Sequence, residues 1–150
     1  MKKLLIFCLI CFSIIAKAET LQIESASLIK QQIAQQMESS VACWNKGDLT
    51  CFMQSYENSD RTLFISGTKF IFGWQNSFDH YMLKYGKNKS DMGNLDIIVK
   101  NIEVLDSNYA YLYGNYFLVK DGKEYSGVTS LLFVLDSKSQ PWKIILDHSS

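Results

Sequence analysis

The chain ends with WKIILDHSS at residues 142–150, so an Asp-His pair closes a strand-like pattern. His148 is one of two histidines in the sequence, and the other is His80. An imidazole titrates near neutral pH, so it can act as a general base, a general acid or a hydrogen-bond donor to a ligand. We therefore take His148 as the candidate catalytic and ligand-contacting residue. The alternative is a structural histidine that binds nothing.

The alternation of side chains along a strand assigns a face to each residue of this segment. Trp142, Ile144, Leu146 and His148 share the more apolar face, whereas Asp147 lies on the other. We expect the apolar face to pack on the helices, which would place the imidazole at the edge of the core. Asp147 would then point away from it, so the two residues are not predicted to form a catalytic dyad.

Aromatic side chains supply the other walls of the predicted pocket. Large apolar walls with a few polar tips are typical of small-molecule sites. Besides His148, the predicted ligand pocket contains six aromatic residues: Trp44, Phe64, Trp74, Tyr81, Tyr85 and Tyr116. The alternative is that these rings are ordinary core residues. If a reaction takes place, His148 would be the acid–base residue, and Tyr81 or Tyr116 would polarise a carbonyl group.

The sequence predicts neither a metal site nor a cofactor. Its two histidines are far apart and no carboxylates cluster near them, which does not fit the ligand spacing of a metal site. No phosphate-binding glycine loop and no G-x-S-x-G nucleophile motif occurs. The expected ligand is therefore an unidentified small molecule, bound without a cofactor.

Cys43 and Cys51 flank the turn between the first two predicted helices. Two neighbouring helices can bring such a pair within bridging distance, but spacing alone does not fix the geometry. A disulfide here would contribute about 2–3 kcal/mol to the free energy of unfolding in the chain-entropy model. Two buried thiols are the alternative.

The N-terminal segment has the three parts of a secretory signal peptide. Lys2 and Lys3 form a charged start, residues 4–15 are apolar, and residues 16–18 read Ala-Lys-Ala, a small-x-small cleavage site. We expect residues 1–18 to be removed and residues 19–150 to form one domain. The protein is then predicted to be secreted, most simply into a periplasm, without membrane attachment. An uncleaved membrane anchor is the alternative.

Removal of this segment changes the charge. The whole chain has 15 basic and 15 acidic residues. The segment takes three lysines and no acid with it, so the remaining domain is slightly acidic. This balance argues against nucleic acids and anionic membranes as partners.

Hydrophobic periodicity predicts helices first and strands afterwards. Apolar residues recur every three or four positions over residues 21–46, which predicts a helix. The other expected elements are a short helix at 48–56, a hairpin at 60–73, a helix at 74–85, and antiparallel strands at 95–104, 109–119, 125–135 and 142–148. A jump in the alternation between Val99 and Ile102 predicts a β-bulge. This order indicates an α+β fold, with a curved antiparallel β-sheet and three helices in the N-terminal half.

Several short stretches together resemble the SnoaL-like group of the nuclear transport factor 2-like superfamily. These are Trp44 to Asp48, Phe64 to Gly67, Gly73-Trp74, Tyr109 to Gly114, and the terminal Trp142 to Ser150. The resemblance implies a cone of curved sheet closed by helices, with a histidine at the position of His148 facing the interior. Ketosteroid isomerase and scytalone dehydratase are distant members, but their catalytic carboxylates do not match residues of this sequence.

The predicted sheet is apolar on both faces. A homodimer through the outer face would cover the second one, and many proteins of this fold dimerise in that way; a monomer is the alternative. Three functions remain open at this point. They are a ligand-binding domain without turnover, a cofactor-independent isomerase, dehydratase or cyclase, and an interaction module with a vestigial pocket.

Overall fold

The computed structural model describes residues 2–86, 89–136 and 141–150, with side chains from residue 21 onward. The four helices in these ranges all precede strand β3 (Asn94–Val104) in the chain. The helices are α1 (Lys2–Lys46), α2 (Leu49–Met53), α3 (Trp74–Tyr85) and α4 (Lys89–Met92). The helices predicted from periodicity are confirmed, and α3 has the predicted bounds. The single turn α4 was not predicted, because four residues are too few to show a period. No described helix is long and apolar enough to cross a membrane.

Six strands form one sheet in the order β2-β1-β6-β5-β4-β3. Their bounds are β1 (Leu63–Ser66), β2 (Lys69–Phe72), β3 (Asn94–Val104), β4 (Tyr109–Lys120), β5 (Lys123–Leu135) and β6 (Trp142–Ser149). The predicted α+β class is confirmed. The sheet is mixed, however, because β1 runs parallel to β6 while every other neighbouring pair is antiparallel. Hairpin turns fix the antiparallel pairs locally, whereas nothing in the local sequence fixes the direction of a pairing between distant strands.

Two β-bulges change the direction of side chains within the sheet. The predicted bulge in β3 is confirmed, since its register with β4 shifts between Val99 and Asn101. A second shift lies between β5 and β6, where Leu132 pairs with Leu146 but Phe133 pairs with Ile144. Ile145 is therefore an extra residue in β6. Side chains in a strand alternate between the two faces with a period of two. Every residue of β6 after Ile145 therefore lies on the face opposite to the one that unbroken alternation predicts.

The core lies between α1 and the inner face of the sheet. Buried residues from both layers are Ile33, Met37, Trp44, Leu112, Leu131, Phe133 and Ile144. This arrangement buries the apolar stripe of α1, and its polar face remains exposed.

The turn Trp44-Asn45-Lys46-Gly47-Asp48 fastens the end of α1 to the start of β3. Trp44 Nε1 donates a hydrogen bond of 3.0 Å to the Met92 carbonyl oxygen. Asn45 contacts the backbone of Leu95 twice, donating from Nδ2 to its oxygen at 2.8 Å and accepting from its N–H at 2.7 Å. Both backbone groups of Leu95 thereby find partners on the edge of β3 that no described strand covers.

The same turn starts α2. Gly47 has a φ of 79°, and a Cβ at this position would collide with Lys89, so glycine is required for both reasons. Asp48 caps α2 by accepting a 2.9 Å hydrogen bond from the Cys51 N–H. Cys43 and Cys51 are disulfide-bonded across this turn, with Cα atoms 5.5 Å apart.

The C-terminal residues are part of the sheet. Ser150 exchanges two backbone hydrogen bonds with Val128, of 2.9 and 3.0 Å. Gly127 leaves room for this pairing, because a Cβ there would collide with the Ser150 carbonyl. The end of β6 is therefore held in place and can support a site.

We expect Asn45→Ala to lower the free energy of unfolding by about 1–3 kcal/mol, because it leaves two partly buried backbone groups of Leu95 without their partners. Urea denaturation monitored by circular dichroism measures the change. Lys46→Ala is the matched control, since Lys46 is the exposed next residue and should change stability by less than about 0.5 kcal/mol. Equal stability of the two variants would contradict the role given to Asn45.

Candidate functional site

A cavity of about 150 Å³ lies between the helices and the inner face of the sheet. Its walls are mainly rings and aliphatic side chains, from Trp44, Phe52, Phe64, Tyr85, Leu118 and Leu131. Polar groups enter from the end of β6 and from α3. The cavity ends at Ile144 on the closed side, and exposed residues such as Lys84 mark the open side.

The structure places five of the predicted pocket residues around this cavity: Trp44, Phe64, Tyr81, Tyr85 and Tyr116. Trp44 contacts the ring of Tyr85 with centroids 4.9 Å apart, and Phe64 contacts Tyr81 at 5.1 Å. Tyr81 and Tyr85 contact each other at 6.0 Å, which connects the two pairs. Trp44, Phe64 and Tyr81 also belong to the buried core.

Trp74 does not line the cavity. Its Nε1 donates a 3.0 Å hydrogen bond to the Met53 carbonyl oxygen, and its ring stacks on Phe78 at 5.2 Å. Trp74 begins α3, where it packs towards α2 and faces a separate surface depression with Met53 and Lys143. The prediction that Trp74 lines the pocket is wrong. Helical spacing shows which residues share a face of the helix, but not which other element that face contacts.

The prediction that His148 faces the interior is also wrong. His148 is exposed on the outer face of the sheet, where it pairs with Ser130 and Ile65. The extra residue at Ile145 causes this reversal, and it turns Asp147 inward instead. Asp147 is 3% exposed and lines the cavity.

Asp147 is the centre of a hydrogen-bonded chain along the cavity wall. Its Oδ2 accepts a 2.6 Å hydrogen bond from the Tyr56 hydroxyl, and its Oδ1 accepts one of 2.8 Å from the Ser149 hydroxyl. Ser149 Oγ lies 3.0 Å from Thr129 Oγ1. Because the Ser149 proton points to Asp147, Thr129 is the donor to Ser149. On the other side, the hydroxyl of Tyr81 lies close enough to that of Tyr56 and to Asp147 to interact electrostatically with both.

A similar fold occurs in an NTF2-like protein of unknown function from Shewanella oneidensis MR-1. That protein is 31% identical, with a TM-score of 0.75, and the match covers 80% of this chain and 97% of that one. The chain belongs to the nuclear transport factor 2-like superfamily.

Other NTF2-like structures share the fold at lower identity. A superfamily protein from Salmonella enterica serovar Typhimurium LT2 is 21% identical with a TM-score of 0.65, over 83% of this chain and 91% of that one. A ketosteroid isomerase-like protein from Erwinia carotovora atroseptica is 11% identical with a TM-score of 0.63, over 81% and 94%. The sequence matches no protein-family model and no curated protein.

Burial sets the protonation of the polar chain in this NTF2-like domain. Loss of solvent raises the pKa of Asp147 above its ordinary value, and the hydrogen bonds from Tyr56 and Ser149 offset only part of that effect. Burial also raises the pKa of Tyr56 and Tyr81 well above 10, and the charge of Asp147 adds to it. Both phenols therefore stay protonated at neutral pH, and Asp147 is the group that titrates.

The protonation state of Asp147 determines which way the chain donates. An ionised Asp147 accepts from Tyr56. A protonated Asp147 can instead donate to Tyr56, whose own proton is then released towards Tyr81 and the cavity. The NTF2-like cavity thus contains a buried acid that can present a hydrogen bond to a bound molecule.

His80 lines the open side of the cavity, with its ring 5.8 Å from that of Phe64. Partial burial lowers its pKa, and the positive charges of Lys84 and Lys69 lower it further. The imidazole is therefore neutral at pH 7. Among the residues that the structure describes, no group of three or more His, Cys, Asp or Glu could hold a metal ion.

Sequence reasoning missed Asp147, Tyr56 and His80 as cavity residues. Asp147 was assigned outward because the bulge in β6 has no local signal. Tyr56 lies after the end of α2, where no hydrophobic periodicity indicates which way its side chain points. His80 lies off the apolar stripe of α3, yet a half-buried residue next to that stripe reaches the entrance.

We expect Asp147→Asn to remove a pH dependence of stability. The pKa of Asp147 is raised in the folded state, so the folded protein keeps a proton that the unfolded chain releases above about pH 4. The contribution of Asp147 to the free energy of unfolding should then be largest below about pH 4, and should fall as the pH rises to the folded pKa. Each unit of pKa difference corresponds to about 1.4 kcal/mol.

Urea denaturation at several pH values between about 4 and 8 measures this slope. An asparagine at this position cannot ionise, so the variant should gain stability relative to the wild type as the pH rises. Asp96→Asn, which changes an exposed acid on β3, is the matched control and should keep the wild-type slope. Parallel curves for wild type and Asp147→Asn would show that Asp147 is not buried in the way described.

Proposed function

We propose that this protein binds a small, mostly apolar molecule in the cavity, with one hydrogen-bond acceptor of the molecule directed at Tyr81. The observation that carries this proposal is the buried Asp147 with its Tyr56 partner in a wall that is otherwise mainly apolar. Burying a carboxyl group costs free energy, and perturbed acids in a cavity are typical of functional sites. An apolar pocket with a few convergent polar groups is the usual form of a small-molecule site.

The size of the cavity limits the ligand. An engineered apolar cavity of about 150 Å³ binds benzene, and this cavity has about the same volume. The proposed ligand therefore has about one ring, or a short branched chain, unless it extends through the open side.

A cofactor-independent enzyme is the second candidate, of the isomerase, dehydratase or cyclase type. It is favoured by the neutral imidazole of His80 and the protonatable chain ending at Tyr81, since both line one cavity. A neutral imidazole can take a proton while Tyr81 stabilises the charge on a carbonyl oxygen. In this candidate His80 takes the acid–base role that the sequence had assigned to His148.

We expect Tyr81→Phe to weaken the binding of acetophenone about tenfold and to leave toluene binding unchanged. Loss of one hydroxyl removes one hydrogen bond to the carbonyl oxygen, and toluene has no such oxygen. Titration followed by amide shifts in NMR spectra measures both affinities in the same protein. Tyr113→Phe is the matched control, because Tyr113 lies on the outer face of the sheet.

Three outcomes separate the functions. Selective loss of acetophenone binding supports the ligand-binding proposal. Turnover of an added enone or hydroxy-ketone, lost in His80→Ala, would support the enzyme. Absence of binding by either probe would contradict the pocket and favour the interaction module with a vestigial cavity.

We also propose that two copies pair through the outer face of the sheet. This face is apolar although it is solvent-exposed: Ile98, Phe117, Val119 and Val128 are 45%, 43%, 46% and 54% exposed. Exposed apolar patches of this kind are typical of protein interfaces. The patch spans three adjacent strands in the middle and at one edge of the sheet, so a second copy related by a two-fold axis can cover it with the same residues.

Export across a membrane is part of this proposal, as is membership of the SnoaL-like group. The disulfide between Cys43 and Cys51 supports export, because such bonds persist in oxidising compartments. The signal-peptide pattern of residues 1–18 supports it too. The SnoaL-like group is supported by the Trp44 to Asp48 turn and the terminal strand, both of which hold the cavity in place.

We expect native mass spectrometry of the exported protein to show a dimer of chains that begin at Glu19. Phe117→Glu should shift it to a monomer, because it puts two like charges into the apolar interface. Asp96→Asn, at a polar position of the same face, should leave the dimer intact. A monomeric wild type at low micromolar concentration would refute the dimer, and a chain that keeps residues 1–18 would refute the cleavage.

A further inference from the structure

Two lysines lie at the open side of the cavity, beside the ring of Tyr85. The ammonium groups of Lys84 and Lys120 lie 5.1 and 5.0 Å from the centroid of this ring. Lys120 Nζ also donates a 3.4 Å hydrogen bond to the Lys84 carbonyl oxygen. Lys84 and Tyr85 both line the cavity. Lys84 and Lys120 therefore both lie beside a ring that lines the cavity.

The charged groups described at the entrance are positive: Lys84, and Lys120 over the adjacent ring of Tyr85. Among the described residues that line the cavity, Asp147 is the one acid, and it is buried with a raised pKa. Burial lowers the pKa of His80, and the positive charges of Lys84 and Lys69 lower it further, because they disfavour another positive charge there. The entrance therefore favours a negatively charged ligand group over a positively charged one.

We propose that the cavity binds a small monocarboxylate, with its apolar body between the aromatic walls and its carboxylate at the entrance beside Lys84 and Lys120. This inference rests on the proposed function, because it names the class of ligand for the same cavity. Lysine ammonium groups bind carboxylates through charge-assisted hydrogen bonds. The hydroxyl of Ser66, which also lines the cavity, is a further donor from the end of β1.

An organic cation is the opposite choice, and the structure disfavours it. Aromatic rings attract cations, but Lys84 and Lys120 already lie over Tyr85. Their charges repel a second cation at the entrance.

Three probes of equal ring size test the sign of the preferred charge: benzoate, benzamide and benzylamine. In about 20 mM salt we expect benzoate to bind the full chain about fivefold more tightly than benzamide, and benzylammonium to bind most weakly. In about 300 mM salt the preference for benzoate should shrink towards one, since the entrance is exposed to solvent. NMR titration measures all three affinities.

Lys84→Gln should bring the affinity for benzoate closer to that for benzamide, because Lys120 remains, and should leave benzamide binding unchanged. Lys30→Gln is the matched control, because Lys30 is an exposed residue of α1 that does not line the cavity. It should change neither affinity. The comparison of low and high salt tests the same electrostatic preference for benzoate without any variant.

The outcomes distinguish this inference from the proposed function. Equal binding of benzoate and benzamide by the wild type, or tighter binding of benzylammonium, would overturn the carboxylate inference and leave the pocket standing. A preference for benzoate that survives both high salt and Lys84→Gln would also overturn it. Absence of binding by all three probes would overturn the proposed function and this inference together.

Discussion

A carboxyl group removed from water has to be hydrogen-bonded, protonated or both, and this requirement organises the cavity around Asp147. Tyr56 and Ser149 satisfy its two oxygens. Thr129 continues the chain beyond Ser149, and Tyr81 lies beside Tyr56 at the other end. These residues come from α3, from the segment after α2, and from two strands of the sheet. The polar chain therefore joins the helical layer to the sheet layer, and a shift of either layer would leave a buried polar group without its partner.

The helical side of the cavity is fixed by a second set of contacts at the end of α1. Asn45 holds the backbone of Leu95, and the disulfide joins the residues before Trp44 and Phe52. The rings of Trp44 and Phe52 meet at 4.9 Å and form part of the cavity wall. The covalent link thus lies directly behind the wall, so it limits how far these two rings can separate. A preformed cavity of this kind binds a ligand with little cost of ordering.

Much of the fold could be predicted from the sequence, whereas the orientation of the site could not. The helix over 21–46, the α3 bounds and the bulge in β3 leave periodic signals that are long enough to see. The bulge at Ile145 leaves none, because Ile144, Ile145 and Leu146 are all apolar and fit either face. That single residue exchanges Asp147 for His148 in the interior. The aromatic lining of the cavity could be predicted, because large aromatic side chains are usually buried. Tyr56 and His80 were missed, because their roles arise only when distant elements meet.

The buried acid and the cationic entrance are coupled through the ligand. A molecule that accepts a hydrogen bond from Tyr81 favours the arrangement in which Asp147 is protonated and the hydroxyls of Tyr56 and Tyr81 donate towards the cavity. By linkage, such a molecule raises the pKa of Asp147 further and binds more tightly where Asp147 is protonated. A carboxylate at Lys84 acts in the same direction, since a second negative charge in the cavity disfavours ionisation of Asp147. A ligand with both an acceptor at Tyr81 and a carboxylate at Lys84 therefore favours the protonated state of Asp147 from both ends of the cavity.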